Sequence, residues 1–129
     1  MAQFDHLASM LNHILNSKRV RKHNCEFRPS SKLLIGVLSL MKKNGYIKEF
    51  KAIKDSRGGY IEIEFDKLNF CKAIKPRFNV KRENLDKYVR RFLPSRNLGI
   101  IIISTTKGLM THQEAIEKNI GGRLLAFCY

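Results

Sequence analysis

The sequence predicts an α+β fold made of two small packed domains. Apolar residues recur every three or four positions near the start of the chain, which is typical of amphipathic helices. Residues 46–65 then alternate between apolar and polar around a pair of glycines, which indicates an antiparallel hairpin. The second half is richer in short extended runs. We therefore predict an N-terminal α-β-α-β-β unit at residues 1–66 and a mainly β C-terminal unit with short helices at residues 67–129.

The first domain is predicted to open with a helix from about Asp5 to Lys18. Its leucines and isoleucines fall on one face, and Asp5 is a candidate helix cap. Four cations follow at residues 18–22, where positive charge complements the end of a helix dipole. A short strand is predicted around residues 23–28.

A second helix and a hairpin complete the first domain. Ser30 and Ser31 offer hydroxyls to cap a helix that begins near residue 32, and Gly45 is placed to stop it. Two alternating runs, residues 46–54 and 60–65, then flank a polar turn that contains two glycines. Their alternation predicts paired strands with one buried face.

The second domain alternates extended and helical segments. Residues 70–78 read as extended chain at a sheet edge because they contain a proline. A helix is predicted at residues 82–93 and an apolar, internal strand at residues 98–104. A capping-box pattern opens a short helix at residues 111–119, and residues 123–129 form the last strand.

A compact polar tip, Ser104–Gly108, follows four consecutive isoleucines and is predicted to precede the short helix. It offers three hydroxyls, a cation and a glycine, but no carboxylate, thiol or imidazole. Hydroxyls donate to and accept from phosphates, ribose and base edges. This composition favours recognition over catalysis. Gly121 and Gly122 are predicted to end the helix that follows.

The net charge of +14 is the strongest bulk feature. Residues 65–97 hold ten basic and three acidic side chains, net +7, whereas residues 98–129 hold three and two, net +1. This charge favours nucleic acid as the partner, with an acidic membrane surface as the competing one. No run approaches the roughly 20 apolar residues of a membrane span, and no secretory signal is evident.

The chain carries no pattern typical of an enzyme, metal or cofactor site. Paired carboxylates, an activated nucleophile and cysteine or histidine pairs at zinc spacing are all missing from the sequence. Cys25, Cys71 and Cys128 are odd in number and far apart, so we expect reduced thiols. The four histidines are expected to be surface or packing residues.

Several motifs in series resemble the universal small-subunit ribosomal protein eight family. The resemblance rests on the hydroxyl-rich loop Ser104–Gly108, the Glu114-Ala115 helix and the Gly121-Gly122 strand entry. It extends in order through "RPSSKLL", "KNGYI", "IKPRFNV" and "LPSRNLG" and so covers essentially the whole chain. The "KPRF" and "LPSR" segments are similar to the eukaryotic and archaeal branch.

The resemblance implies a protein of the cytoplasmic small ribosomal subunit with two tightly packed domains. It implies binding to the central domain of small-subunit rRNA at a stem with an irregular internal loop, early joining during assembly, and contact with neighbouring small-subunit ribosomal proteins. It implies neither a cofactor nor a small-molecule substrate. The loop Ser104–Gly108 would lie in the RNA minor groove, close to Gly121 and Gly122. Backbone contacts would come from the residues of the first domain that match the family: Asn16, Ser30, Ser31 and Lys32.

Phosphate contacts are expected from the basic middle of the chain. The candidate side chains are Lys75, Arg77, Lys81, Arg82, Arg90, Arg91 and Arg96. Two positions depart from bacterial members of the family: Thr106 stands where a serine is typical, and Leu15 where an arginine is typical. A free regulatory protein that recognises a similar RNA stem is the alternative function, and an enzyme acting on nucleic acid is a third class.

Overall fold

The computed structural model describes residues 6–28, 30–65, 67–75, 77–95 and 98–129. Helices and antiparallel sheets alternate along the chain, which confirms the predicted α+β class. The chain forms two compact units, Met1–Leu68 and Asn69–Tyr129. That each unit is a separate domain, as predicted for residues 1–66 and 67–129, stays a prediction.

The first unit has the predicted order α-β-α-β-β. Its elements are α1 (His6–Arg19), β1 (Asn24–Phe27), α2 (Lys32–Lys43), β2 (Ile47–Ile53) and β3 (Tyr60–Phe65). The three strands form an antiparallel sheet in the order β1-β3-β2. Ile61, Ile63 and Phe65 of the central strand are buried, in agreement with the alternation in the sequence. The predicted cap at Asp5 lies outside the described residues.

The start of α2 has the predicted serine cap. Ser31 has an extended backbone, and its hydroxyl accepts a hydrogen bond of 3.3 Å from the Leu34 N–H. This bond satisfies one of the amides that a helix start leaves without a partner. At the other end, Gly45 has a φ of 86°, a region that favours glycine and ends the helix.

The second unit has short helices beside a five-stranded antiparallel sheet. Its elements are β4 (Cys71–Ala73), β5 (Asn79–Val80), a 3-10 turn (Arg82–Asn84), α3 (Leu85–Phe92), β6 (Ile100–Thr105), β7 (Gly108–Thr111), α4 (His112–Glu117) and β8 (Gly122–Cys128). The strands run in the order β4-β8-β6-β7, and β5 also pairs with β8. Ile100–Ile103 are buried, which confirms β6 as an internal strand.

Three details of the second unit differ from the sequence prediction. The strand β7, between the polar tip and the last helix, was not predicted, because a turn followed directly by a capping box leaves only four residues for it. The helix predicted from residue 82 begins with a 3-10 turn and becomes α-helical at Leu85. Residues 70–78 are only partly in strands, and the proline of that segment lies outside the described residues.

The prediction that Gly121 and Gly122 end the last helix was wrong. The helix α4 ends at Glu117, Lys118 is its C-cap, and Asn119 has the left-handed φ of 57°. The two glycines instead allow neighbouring backbones to approach. A Cβ on Gly121 would overlap the Val80 carbonyl oxygen. These positions are therefore set by packing rather than by helix termination.

The start of α4 has the predicted cap. The Thr111 hydroxyl accepts a hydrogen bond of 3.3 Å from the Glu114 N–H. The next residue, His112, is buried, and its Nδ1 accepts a hydrogen bond of 3.2 Å from the Ile101 N–H. Burial lowers the pKa of His112. This histidine is a packing residue, as predicted.

Candidate nucleic-acid interface

The polar tip is a tight hairpin between β6 and β7. Thr105 pairs with Gly108, so Thr106 and Lys107 form the turn. The Thr105 Oγ1 donates a hydrogen bond of 2.9 Å to the Gly108 carbonyl oxygen and accepts one of 3.1 Å from the Lys107 N–H. Gly108 has a φ of 107°, which an L side chain rarely adopts. One hydroxyl and one glycine thus fix the shape of the turn.

The three hydroxyls of the tip are not equivalent. Thr105 is committed to the turn, whereas Thr106 is exposed and its hydroxyl makes no hydrogen bond within the described part of the chain. Ser104 is half-buried at the base of the hairpin, opposite Leu109 on one side and Arg123 on the other. Thr106 is therefore the hydroxyl most accessible to a partner.

A groove of about 540 Å³ runs beside the hairpin. Its walls come from three segments: Asn79–Lys81, Ser104–Thr106 and Gly121–Arg123. The fold therefore brings the predicted residues Ser104, Thr105 and Thr106 together with Gly121 and Gly122. Gly122 lets strand β8 lie close to β6 at this wall of the groove, because a Cβ on Gly122 would overlap the Ser104 carbonyl oxygen. Lys107 and Gly108 are exposed at the turn itself.

Asn79 and Arg123, which were not predicted as site residues, also line this groove. They are partners in the β5–β8 register, and the Arg123 Nε donates a hydrogen bond of 3.3 Å to the Asn79 Oδ1. Both side chains are exposed. The two-residue strand β5 gives no recognisable pattern in the sequence, so only the strand register reveals that they meet.

The backbone of Arg82 lies next to the groove. Its backbone N–H lies close to Gly121, 3.0 Å from where a Cβ of that glycine would stand. The Arg82 Nε is buried and has no hydrogen-bond partner among the residues that the structure describes. A buried guanidinium N–H without an acceptor is costly.

Four predicted RNA-binding residues lie in the first unit. Ser30, Ser31 and Lys32 lie together at the start of α2. The Ser30 N–H donates a hydrogen bond of 3.3 Å to the Gly59 carbonyl oxygen, which joins this segment to the β2–β3 turn. Asn16 is exposed on α1, in a different element.

An ion pair fixes the β2–β3 turn beside Ser30. The Arg28 Nη2 lies 2.5 Å from the Asp55 Oδ2, and the guanidinium lies 4.9 Å from the centroid of the Tyr60 ring. Asp55 also accepts hydrogen bonds from the N–H groups of Arg57 (2.8 Å) and Gly59 (2.9 Å). The Arg28 bond, helped by these backbone bonds, lowers the pKa of Asp55 to about 2.

The predicted phosphate-binding cations of the second unit occupy different environments. Lys75 and Arg77 are exposed between β4 and β5, and Arg90 is exposed on α3 beside a second groove of about 220 Å³. Arg91 is also exposed, but its guanidinium packs over two aromatic rings. Arg96 lies outside the described residues.

One face of the first unit is unsuited to a phosphate backbone. In the sheet register Glu26 lies opposite Glu62, and Glu64 lies opposite Glu49, so four carboxylates share the outer face with Lys51. Like charges directly opposite each other repel. The Lys42 Nζ pairs with Glu49 at 2.7 Å, so Glu26, Glu62 and Glu64 are the carboxylates that make this face less favourable for a phosphate backbone.

The fold and its groove define a class of protein. This is a basic α+β protein in which the groove beside the β6–β7 hairpin offers hydroxyls, an amide and cations, a set suited to recognising an anionic, hydrogen-bonding partner. Within the described residues, no group of three or more metal-ligating side chains is found, and none of the helices there is long and apolar enough to cross a membrane.

The chain belongs to the ribosomal protein S8 family, whose model matches residues 5–129. It is similar to the small ribosomal subunit proteins uS8A and uS8B of Schizosaccharomyces pombe (strain 972 / ATCC 24843). It is 44% identical to each over 124 residues, which cover 95% of this chain and 95% of each relative. The resemblance drawn from the motifs, including its eukaryotic character, is confirmed.

Proposed function

We propose that the groove beside the β6–β7 hairpin is the surface through which this protein recognises small-subunit rRNA. As a member of the ribosomal protein S8 family, the protein is a structural constituent of the small ribosomal subunit. Its partners are rRNA and other ribosomal proteins. The target within the rRNA is a stem of the central domain with an irregular internal loop, and the protein supports assembly there in the cytoplasmic subunit rather than acting as an enzyme.

The observation that carries this proposal is the exposed Thr106 hydroxyl on a rigid turn above an open groove. The A-form major groove is too narrow for side chains, so proteins contact the shallow minor groove, ribose hydroxyls and irregular loops. A short hydroxyl side chain reaches such a surface, and both of its roles, donor and acceptor, are available at Thr106. The Thr105 bonds hold the turn rigid, so little conformational entropy is lost on binding.

Phosphate attraction comes from the cations around and beyond the groove. Lys81 and Arg123 line it. The segment of net charge +7 adds long-range attraction. The hydroxyls would thus supply specificity and the cations affinity, which is the usual division in nucleic-acid recognition.

The experiment compares Thr106→Val with the wild-type protein on two RNAs: the central-domain stem with its internal loop, and a regular duplex of equal length. Valine keeps the shape of threonine and removes only the hydroxyl. Loss of a hydrogen bond that leaves its partner unsatisfied costs about 1–3 kcal/mol, so we expect the affinity for the stem to fall roughly 5- to 150-fold. Binding to the regular duplex is expected to change less than twofold.

The matched control is Lys107→Met, the other turn residue. It removes a charge but no hydroxyl, so it is expected to weaken binding to both RNAs to a similar degree. It is also expected to lower the dependence of the affinity on salt concentration. Equal loss on both RNAs for Thr106→Val, or no loss at all, would contradict a specific role for the hairpin.

A further inference from the structure

Four aromatic rings form a continuous row on the second unit. We call Phe78, Tyr88, Phe92 and Phe127 the aromatic row. The distances between successive ring centroids are 5.7 Å from Phe78 to Tyr88, 6.3 Å from Tyr88 to Phe92 and 5.2 Å from Phe92 to Phe127. Phe127 is buried, but the other three rings are only half-buried. The row therefore extends from the core to the surface.

Arg91 lies at the outer end of this row. Its guanidinium carbon is 5.7 Å from the centroid of Phe78 and 5.3 Å from that of Phe92. Both distances are within the range of cation–π attraction. Arg91 is nevertheless exposed, so the rings orient the guanidinium without covering it.

Arg90, its neighbour in the chain, has a different environment. It is also exposed, but no aromatic ring of the described residues packs against it, and it lines the groove beside Leu93 and Pro94. The two arginines carry the same charge and lie on the same helix, α3. They differ in that only Arg91 has aromatic rings within cation–π distance of its guanidinium among the described residues.

We propose that Arg91, supported by Phe78 and Phe92, is a stacking platform for an unpaired base of the bound RNA. This inference rests on the proposed function, and it adds a second contact with a different chemistry. An oriented guanidinium plane stacks on a nucleobase in the way that an aromatic ring does. Such stacking is sequence-tolerant, because every base presents a π face.

The surrounding charge favours RNA over a protein partner. Residues 65–97, which contain the exposed end of the row, have a net charge of +7. Exposed cations on the same segment, Lys87 and Arg90 among them, would accompany the phosphates on either side of a stacked nucleotide. An acidic protein segment would use the charges of both Arg90 and Arg91 and has no unpaired base to stack on Arg91.

The test compares Arg91→Lys with the matched variant Arg90→Lys in the full-length protein. Lysine keeps the charge but removes the planar group. On the central-domain stem RNA with its internal loop, we expect Arg91→Lys to weaken binding about tenfold, and the slope of affinity against salt to stay unchanged because no charge is lost. Arg90→Lys also keeps its charge and is expected to lose clearly less affinity than Arg91→Lys, because no aromatic ring of the described residues lies under the Arg90 guanidinium.

A second readout separates stacking from simple packing. With 2-aminopurine in the unpaired positions of the RNA, wild-type protein is expected to quench the fluorescence of one position, and Arg91→Lys to relieve that quenching. Phe78→Leu keeps an apolar side chain under the guanidinium but removes the ring. This variant is expected to relieve the quenching in part. Each variant is measured at a temperature where it is fully folded, so that a change in stability does not alter either readout.

Three results would overturn the inference: wild-type affinity and quenching for Arg91→Lys, equal losses for Arg90→Lys and Arg91→Lys, or an Asp/Glu-rich peptide that competes with RNA and depends equally on both arginines. The proposed function is tested separately, by the effect of Thr106→Val on RNA affinity in the same assay. If Thr106→Val loses affinity while Arg91→Lys does not, the stacking platform alone is rejected.

Discussion

Gly122→Ala tests the link between the packing of the sheet and the shape of the groove. The added methyl group would overlap the Ser104 carbonyl oxygen and would stand 2.7 Å from the Ile103 Cγ2 and 3.0 Å from the Thr105 Cγ2. All three atoms belong to strand β6, which pairs with β8 at this level, and the nearest one is a backbone oxygen, so the methyl cannot be accommodated by rotating one flexible side chain. The strands must separate locally.

The expected loss of stability follows from that overlap. Overpacking a well-packed site costs about 1–3 kcal/mol, and a clash with backbone belongs in the upper half of this range. With a urea m value of about 1–3 kcal/mol/M for a protein of this size, a loss of about 2 kcal/mol lowers the unfolding midpoint by roughly 1 M. The m value itself is expected to stay constant.

The same variant is expected to weaken RNA binding, because the shifted strand carries Ser104 and Thr105. The assays are urea unfolding followed by circular dichroism and titration of the stem RNA under conditions where the variant is fully folded. Thr106→Val is the matched control, since an exposed side chain without a hydrogen bond changes stability by less than about 0.5 kcal/mol. A wild-type midpoint for Gly122→Ala would refute the claim that this glycine is required for close approach. A lower midpoint with unchanged RNA affinity would refute the link to the groove.

Two further predictions concern the first unit. Ser31→Ala removes the cap of α2 and is expected to destabilise the protein by about 1 kcal/mol in urea unfolding, whereas Ser39→Ala, in the exposed middle of the same helix, serves as the control. No difference between the two serines would contradict the capping role. The pKa of Asp55 is about 2, below its ordinary value of 3.8, so the stabilisation it provides is fully present above pH 4 and is lost as the pH falls from about 4 to 2. Asp55→Asn is expected to flatten the acid limb of a stability–pH curve; an acid limb identical to wild type would show that this ion pair does not contribute.

The local patterns of the first unit were enough to predict its elements. The periodicity of α1, the Ser31 cap and the alternation of β2 and β3 each act within a few residues, so they are readable from sequence. The end of α2 at Gly45 is also a local signal, because it depends on the glycine itself. The order α-β-α-β-β followed directly from these local signals and matches the structure.

The second unit was harder to predict because its elements are short and depend on distant partners. The strands β5 and β7 contain two and four residues, and each exists through pairing with a strand far away in sequence or across a tight turn. Gly121 and Gly122 have the appearance of a helix stop, yet their role is set by backbones at Val80 and Ser104. Such close approaches leave no local signal.

Only part of the candidate site could be predicted, because some of its residues form one local segment and others are brought together by distant contacts. The hairpin residues form one contiguous segment with an unusual hydroxyl content, so the sequence singled them out, and the family resemblance added the two glycines. The sequence could not show that Thr105 serves the turn while Thr106 is accessible, because this depends on hydrogen bonds across the turn. Nor could it show that Arg90 and Arg91 differ, since the rings that orient Arg91 lie on other segments or one helical position away.

The most direct test of the central claim is a crosslinking measurement at the hairpin within intact small subunits. A photoreactive side chain would replace Thr106, the subunits would be isolated and irradiated, and the crosslinked nucleotides would be mapped by primer extension. The proposed function predicts crosslinks confined to one irregular internal loop of the central domain of the rRNA. Crosslinks to protein alone, or to rRNA positions scattered over regular duplex, would contradict it.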